Sequence, residues 1–189
     1  MVLSPILKKL LFVRQFDIDN GKITLLGDRE IMLSASAILE LQAIDESKLY
    51  AAAKKSAFRD ISGIVEHAKV YDKMKSVFIS DIARLGAKIG ETDVGVLKTL
   101  QDLFNVYGLG EMSIADINNT KKQALINIKD GTLAEEFLKK KRARSKEAVC
   151  TLTAGVIAGV FSYIFGKEVD CVEAKCKAQG YSNCMFKVA

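Results

Sequence analysis

The sequence predicts an α+β protein with helices packed on one side of a small antiparallel sheet. Stretches of alternating apolar residues, which are typical of strands, occur near the start, in the middle and at the end of the chain. Long stretches with the helical apolar period lie between them. The predicted order is a β-hairpin, four helices, a second hairpin, further helices and two strands. With 189 residues, 49% hydrophobic and 27% charged, the chain can bury a core.

The first 45 residues are predicted to form a β-hairpin and a helix. Asn20-Gly21 lies between two apolar-rich runs, 12–18 and 23–25, and Asn-Gly is the strongest short hairpin signal because both residues can adopt positive φ. A helix is then predicted from Gly27-Asp28 to about Ala43, with apolar residues on more than one face. We expect residues 1–45 to be the dimerisation element of a homodimer and residues 46–189 to form the main domain.

Helices and a second hairpin are predicted in the first part of the main domain. Apolar residues recur at helical spacing over residues 50–68, 74–89 and 92–107, and the third helix ends at Gly108 and Gly110. The apolar period then changes to two on both sides of Asn118-Asn119, which predicts a hairpin.

The last part of the chain is predicted to contain two helices and two strands. Thr132 and Glu135 have the spacing of a capping box, so a helix should start there and run through the basic residues that follow. A further helix is predicted from about Ser145 to Gly166, followed by strands over residues 169–173 and 184–188.

One basic run, from Lys139 to Lys146, roughly accounts for the net charge of +5. It is interpreted either as a solvated helical surface or as a contact for a phosphate-bearing partner, namely an anionic membrane surface or nucleic acid. No aromatic residues interleave with the run, which disfavours nucleic acid. The apolar stretch 148–165 is too short and too polar to favour a spanning helix, and the start of the chain lacks a signal-peptide pattern, so we expect a cytoplasmic protein.

All four cysteines, Cys150, Cys171, Cys176 and Cys184, lie in the last forty residues. Without an export signal, clustered thiols indicate a metal or redox chemistry rather than a disulfide framework. Three of these thiols together with Glu173 form a donor set that suits zinc. Buried or redox-active thiols are the alternative interpretation of the same spacing.

The segment from Val149, VCTLTAGVIAGVFSYIFGKEVDCVEAKCKAQGYSNCMFKV, resembles the 4-vinyl reductase domain, a family named after a component of bacteriochlorophyll synthesis. The matching positions are Cys150, Gly155, Gly159, Glu173, Cys176, Gly180, Cys184 and Phe186. The family shares its fold with the TRAPP vesicle-tethering subunits and is related to haem-based nitric oxide sensors, so the resemblance implies a TRAPP-like ligand-binding fold. The match covers the last forty residues of the chain.

The same resemblance implies a zinc site. In the aromatic-sensing bacterial activators that carry this domain, one Glu and three Cys at the matching positions hold zinc, which here implies Cys150, Glu173, Cys176 and Cys184. Zinc with four protein ligands has no open position for water, so its role should be structural. We expect Lys175, Lys177 and Lys167 to offset the negative charge of the ligands.

Cys171 is expected to be a buried free thiol, because cysteine is among the most often buried residues. The alternative, in which Cys171 replaces Glu173 as a ligand, stays open at this point.

Five residues at helical spacing are candidates for a ligand pocket: His67, Tyr71, Phe78, Phe104 and Tyr107. Core packing is the simpler interpretation of all five. His67 is the only histidine, which excludes His-rich metal sites and leaves little room for a His-based triad. Gly-rich phosphate-binding motifs are absent from the sequence.

Three functions follow in order of preference. The first is a small-molecule-binding regulatory domain with a structural zinc ion, which holds a hydrophobic or aromatic ligand and passes its signal to a separate protein partner. The second is a non-enzymatic adaptor or assembly protein resembling TRAPP subunits. The third is a component of a tetrapyrrole vinyl reductase, which ranks last because the sequence has no nucleotide site and no general base with a partner. The Lys- and Ile-rich, Trp-free composition indicates an archaeal source.

Overall fold

The described part of the chain contains two antiparallel sheets and several helices. The computed structural model describes residues 16–19, 22–25, 28–71, 101, 104–105 and 107–189. The helix predicted over 74–89 and most of the helix predicted over 92–107 lie outside these residues. Within the described residues, no helix combines the length and the apolar character needed to cross a bilayer.

The first sheet contains three short strands, β1 (Phe16–Asp19), β2 (Lys22–Leu25) and β3 (Asp28–Glu30). Antiparallel pairing of β1 with β2 confirms the predicted hairpin. The helix predicted from Asp28 is wrong at its start, because residues 28–30 pair with β2 as a third strand. The helix, α1 (Ala35–Ile44), begins only after Ser34, whose hydroxyl accepts a hydrogen bond from the Ala37 amide at 3.2 Å and caps the helix.

The long helix α2 (Glu46–Tyr71) follows α1 after the single residue Asp45. Asp45 Oδ1 accepts a hydrogen bond from the Lys48 amide at 2.9 Å, so it provides the side-chain cap of α2. The helix predicted over residues 50–68 is therefore confirmed, and it extends further at both ends.

The second sheet has the strand order β4-β5-β7-β6 and is antiparallel throughout. Its strands are β4 (Glu111–Asn118), β5 (Gln123–Lys129), β6 (Cys171–Lys175) and β7 (Cys184–Val188). The second hairpin and the two terminal strands are thus confirmed. Alternate residues of β5 and β7 are almost fully buried and form one face of the core: Ala124, Ile126, Ile128, Cys184, Phe186 and Val188.

Helix α3 (Thr132–Lys141) starts where the sequence predicts, but its capping and its end differ from the prediction. Its cap is Gly131 and not Thr132, whose hydroxyl instead donates to the Gly108 carbonyl at 2.5 Å. The Glu135 carboxylate forms an ion pair with Lys177, so it does not reach back to close a capping box. The helix stops within the basic run because Arg142 adopts a left-handed conformation with φ of 52°.

Helix α4 (Thr151–Phe165) begins after Cys150, which is its N-cap, rather than near Ser145. It ends at Gly166, whose φ of 60° suits a glycine cap and confirms the predicted end. The helix lies at the centre of the core, and Ile157, Ala158 and Phe161 are at most 1% exposed.

Helices α2 and α4 approach each other closely at two glycines. A Cβ atom on Gly155 would lie 2.6 Å from the Tyr50 carbonyl oxygen, and one on Gly159 would lie 2.9 Å from the Phe58 amide nitrogen. Both distances are too short for a real contact, so only glycine permits this approach. Gly155 and Gly159 therefore allow the close packing of α2 and α4.

A polar contact also joins α2 to the start of β6. The Tyr50 hydroxyl donates to Asp170 Oδ1 at 3.1 Å and accepts from the Cys171 amide at 2.9 Å. Burial raises the pKa of Tyr50 to about 12, so the hydroxyl keeps its proton at neutral pH. Lys54 adds ion pairs to Asp170 at 2.7 Å and to Glu168 at 3.0 Å. This contact fixes β6 against α2.

Candidate functional site

The four residues predicted as metal ligands come together in the structure. One ligand atom from each of Cys150, Glu173, Cys176 and Cys184 lies within 4.8 Å of all the others. The three cysteines are free thiols, each at most 2% exposed. A metal ion at this position would be shielded from solvent by the protein.

The fold explains why residues so far apart in sequence meet. Cys150 is the N-cap of α4, and Cys176 follows β6 directly. In the sheet, Glu173 pairs with Phe186. Phe186 and Cys184, the first residue of β7, are two residues apart and therefore share a face of the sheet. Glu173, which lies opposite Phe186, is on the same face as Cys184.

Glu173 uses its two carboxylate oxygens differently. Oε2 accepts a hydrogen bond from the Cys150 amide at 2.9 Å, which stabilises the start of α4. Oε1 is buried and has no hydrogen-bond partner in the structure. Burial raises the pKa of Glu173 to about 7. A buried acceptor without a partner is costly, so Oε1 is the atom that a cation would satisfy.

The pKa values of the three thiols are shifted in different directions. Hydrogen bonds from Cys150 and Cys184 hold the pKa of Cys176 below its ordinary value, so its thiolate is favoured. The hydrogen bond to Cys176, with burial, raises the pKa of Cys150. Cys150 lowers the pKa of Cys184, but Cys176 and burial outweigh this effect and raise it overall. A divalent cation would relieve the resulting competition between the buried thiols.

The donor set and its spacing fit a zinc ion. Thiolates and a carboxylate are ligands that zinc prefers, and tetrahedral zinc with bonds near 2.3 Å to sulfur places two sulfurs roughly 3.8 Å apart. The Cys150 and Cys184 sulfurs are separated by 3.9 Å. These two sulfurs therefore already have the separation that a tetrahedral zinc site needs.

Backbone groups near the cluster help to balance its negative charge. The Lys177 amide donates to Cys184 Sγ at 3.3 Å, and the helix dipole of α4 points its positive end at Cys150. The lysines expected to play this role are placed differently. The Lys177 ammonium pairs with Asp130 and Glu135, and the Lys175 ammonium lies 5.7 Å from the centre of the Tyr181 ring. Lys167 is exposed.

Cys171 is buried but lies outside the group of four ligand atoms. It pairs with Val188 at the far end of β7 from Cys184, a distance of about 13 Å along the strand at roughly 3.3 Å per residue. Burial raises the pKa of its thiol, which favours the neutral form. These features agree with a buried free thiol.

A cavity of about 250 Å³ lies between α2, α4 and β4. Its lining is mainly apolar and includes residues of the segment that precedes β4. The described lining residues are Ala53, Ser56, Ala57, Asp60, Ile61, Phe104, Tyr107, Met112, Leu152, Val156, Ile157, Val160 and Phe161. Helix α4 therefore joins the two candidate sites, since its cap belongs to the thiol cluster and its side forms a wall of the cavity.

The structure places two of the five predicted pocket residues at this cavity. Phe104 is buried in the lining, and Tyr107 lines it while 46% exposed. His67 and Tyr71 belong to α2, but their side chains are not among those described, and Phe78 lies outside the described residues.

Sequence reasoning missed most of the lining. Val156 and Val160 follow Leu152 at helical spacing, and Ser56 and Asp60 are four residues apart on α2. The sequence feature that could have indicated the cavity was the pair Gly155 and Gly159. Where two helices touch at glycines and then diverge, the residues beside the contact border the space between the helices. Nothing in the sequence showed where that divergence occurs.

Comparison with known proteins supports both the fold and the carboxyl-terminal motif. The family model of the 4-vinyl reductase domain matches residues 132–189. The uncharacterized protein MJ0745 of Methanocaldococcus jannaschii is 28% identical over 89 residues, which are 47% of this chain and 44% of that protein. The chain thus spans less than half the length of this curated relative.

Among solved structures, the phenol-responsive sensory domain of the transcription activator PoxR, determined with phenol, is similar in fold. The TM-score is 0.64 at 18% identity, over 99% of this chain and 90% of that one. A vinyl-4-reductase family protein from Methanocaldococcus jannaschii gives a TM-score of 0.45 at 16% identity, covering 82% of this chain and 75% of that one. A trafficking protein particle complex subunit 3 from Naegleria fowleri, covalently bound to palmitic acid, gives 0.45 at 14% identity, covering 83% and 82%.

All four candidate ligands lie within the matched segment. The family resemblance predicted from the cysteine pattern is therefore confirmed for residues 132–189, which match the 4-vinyl reductase domain.

Proposed function

We propose that the protein is a regulatory domain that binds a small hydrophobic or aromatic molecule and contains a structural zinc ion. The observation that carries this proposal is the apolar cavity beside α4, whose first turn starts at the thiol cluster. Concave, mainly apolar cavities with a few polar groups are typical of small-molecule sites. The likeness of the whole chain to a phenol-responsive sensory domain supports the same class of ligand.

In this proposal Cys150, Glu173, Cys176 and Cys184 hold zinc, which supplies a rigid cross-link between α4 and the last two strands. Glu173 acts through both oxygens, since Oε2 binds the Cys150 amide and Oε1 is free for the metal. Because the zinc ligands include the cap of α4, loss of the metal should loosen the helix wall of the cavity.

A pair of matched variants tests the ligand site. Val156→Phe places a larger side chain in the cavity lining, whereas Val172→Phe makes the same change at a position on β6 that is 61% exposed. The probe is phenol, and its binding is measured by calorimetry and by ligand-observed NMR. We expect Val156→Phe to lose binding and Val172→Phe to keep it. Equal binding by both variants, or no binding by the wild-type protein, would reject the proposed ligand site.

Assembly through the amino-terminal segment is the second candidate function. Ile31, Met32 and Ile44 are large apolar side chains exposed by 79%, 81% and 80%. Large apolar side chains exposed along one segment are typical of protein interfaces, so we propose that this segment joins two copies of the chain. Charge insertion by Ile31→Glu and Ile44→Glu should give a monomer in light scattering, while Val172→Glu should not. An unchanged mass for all variants would reject this interface.

A further inference from the structure

Of the described residues that line the cavity between α2 and α4, Ser56, Asp60 and Tyr107 carry polar side-chain groups, and the first two lie together on α2. Ser56 and Asp60 are one helical turn apart, and the Ser56 hydroxyl donates to Asp60 Oδ2 at 3.4 Å. Among the lining residues that the structure describes, Asp60 alone carries a formal charge. The cavity therefore combines an apolar body with an anionic group at one side.

The Asp60 carboxylate keeps capacity for a further partner. Its side chain is 29% exposed, so it sits at the boundary between the cavity and solvent. Arg59 Nε and Nη2 each lie 3.4 Å from Oδ1, but the Arg59 side chain is 78% exposed and is not part of the lining. An exposed ion pair of this kind is weak. A carboxylate offers about four acceptor positions, so the contacts with Ser56 and Arg59 leave some unused.

We propose that Asp60 is the polar anchor that selects the ligand, an inference that rests on the proposed small-molecule function. A carboxylate accepts hydrogen bonds and carries negative charge, so it favours a ligand with an O–H or N–H donor that is neutral or cationic. It disfavours carboxylates, phosphates and other anions by repulsion. The ligand class is therefore a small apolar molecule bearing a hydroxyl or an amine, and apolar acids are excluded.

The size of the cavity limits the ligand further. At about 250 Å³ the cavity is smaller than the roughly 300–1,000 Å³ of sites for drug-sized molecules. A compact molecule with a single ring or a short branched chain suits this volume. Its donor would bind at Asp60, while its body packs on Val156, Val160 and Phe104.

A series of four probes with one ring each tests the selectivity. Toluene has no donor, benzyl alcohol has a neutral donor, benzylamine is a cation, and benzoate is an anion of similar size. We expect the alcohol and the amine to bind about 10- to 100-fold more tightly than toluene, which is the range for hydrogen bonds to charged groups. Benzoate should bind most weakly.

Two variants of Asp60 separate charge from shape. Asp60→Asn keeps the shape of the side chain but removes its charge, so benzylamine should lose most of its advantage and benzoate should bind more tightly than to the wild-type protein. Asp60→Ala should make toluene and benzyl alcohol equivalent. Asp116→Asn, on the exposed side of β4, is the matched control and should leave the order of the four probes unchanged.

The possible results distinguish this inference from the proposed function. If the probes bind in an order that Asp60→Asn does not change, or if the wild-type protein prefers benzoate, the role of Asp60 is wrong and the ligand cavity stands. If none of the four probes binds at millimolar concentration in ligand-observed NMR, the proposed ligand site is wrong and the role of Asp60 falls with it.

Discussion

Replacing Gly159 with alanine should force α2 and α4 apart. The added Cβ would overlap the Lys54 carbonyl oxygen, and it would lie 2.9 Å from the Phe58 amide nitrogen and 3.0 Å from the Ala57 Cβ. Non-bonded carbon atoms pack at about 3.5–4.0 Å, so the two helices must separate by roughly 0.5–1 Å. Since two of these three contacts are with backbone atoms of α2, no side-chain rotation relieves the clash.

The expected loss of stability follows from two opposing effects. Overpacking of a well-packed interior costs about 1–3 kcal/mol, and the clash with backbone atoms of α2 places this site in the upper part of that range, at about 2–3 kcal/mol. Alanine is favoured over glycine within a helix by about 1 kcal/mol, which offsets part of this cost. The net loss should be about 1–2 kcal/mol, which corresponds to a decrease in Tm of roughly 2–8 °C for a chain of this size.

Thermal and denaturant unfolding of the metal-loaded protein measure this loss. Ala52→Gly, at an exposed position of α2, calibrates the helix-propensity effect in the same structure. Phenol binding should weaken in Gly159→Ala and not in Ala52→Gly, because only the first change moves a wall of the cavity. A Gly159→Ala protein as stable as the wild type, or more stable, would refute the close approach of the two helices.

Three further predictions concern the thiol cluster and its support. Glu173→Ala should abolish zinc binding in a metal assay, whereas Cys171→Ser should retain it; the opposite result would make Cys171 the fourth ligand. In the metal-free protein, burial raises the pKa of Glu173 from 4.5 to about 7, which favours its neutral form. The free energy of unfolding of the metal-free protein should therefore fall as the pH rises from about 4.5 to about 7, and zinc should remove this pH dependence. The same dependence of Tm on pH with and without zinc would contradict the prediction. Tyr50→Phe should cost roughly 1–3 kcal/mol in denaturant unfolding, because the buried Cys171 amide loses its acceptor, and an unchanged midpoint would show that the contact is unimportant.

Features specified by short local patterns could be predicted from the sequence. The Asn20-Gly21 pair, the change of apolar period around residue 118 and Gly166 each act through the conformation of a few neighbouring residues. The sequence also predicted which four residues come together as candidate ligands, because all of them except Cys150 are close in sequence.

Features that depend on tertiary pairing could not be predicted. Residues 28–30 form a strand because β2 offers a partner, and the local sequence also suits a helix start. Thr132 and Glu135 have capping-box spacing, but Gly108 and Lys177 provide stronger alternative partners. The role of Asp60 depends on where α2 and α4 diverge, which no single helix pattern reveals.

Native mass spectrometry of the untagged protein is the most direct test of the metal centre and the ligand cavity, because it reports metal content and bound small molecules together. After exposure to zinc under reducing conditions, we expect one zinc ion per chain in the wild-type protein and none in Cys184→Ser. A further non-covalent mass that disappears in Val156→Phe would identify the ligand of the cavity. A wild-type chain that stays free of zinc would contradict the metal centre and leave Cys150, Cys176 and Cys184 as a cluster of buried thiols.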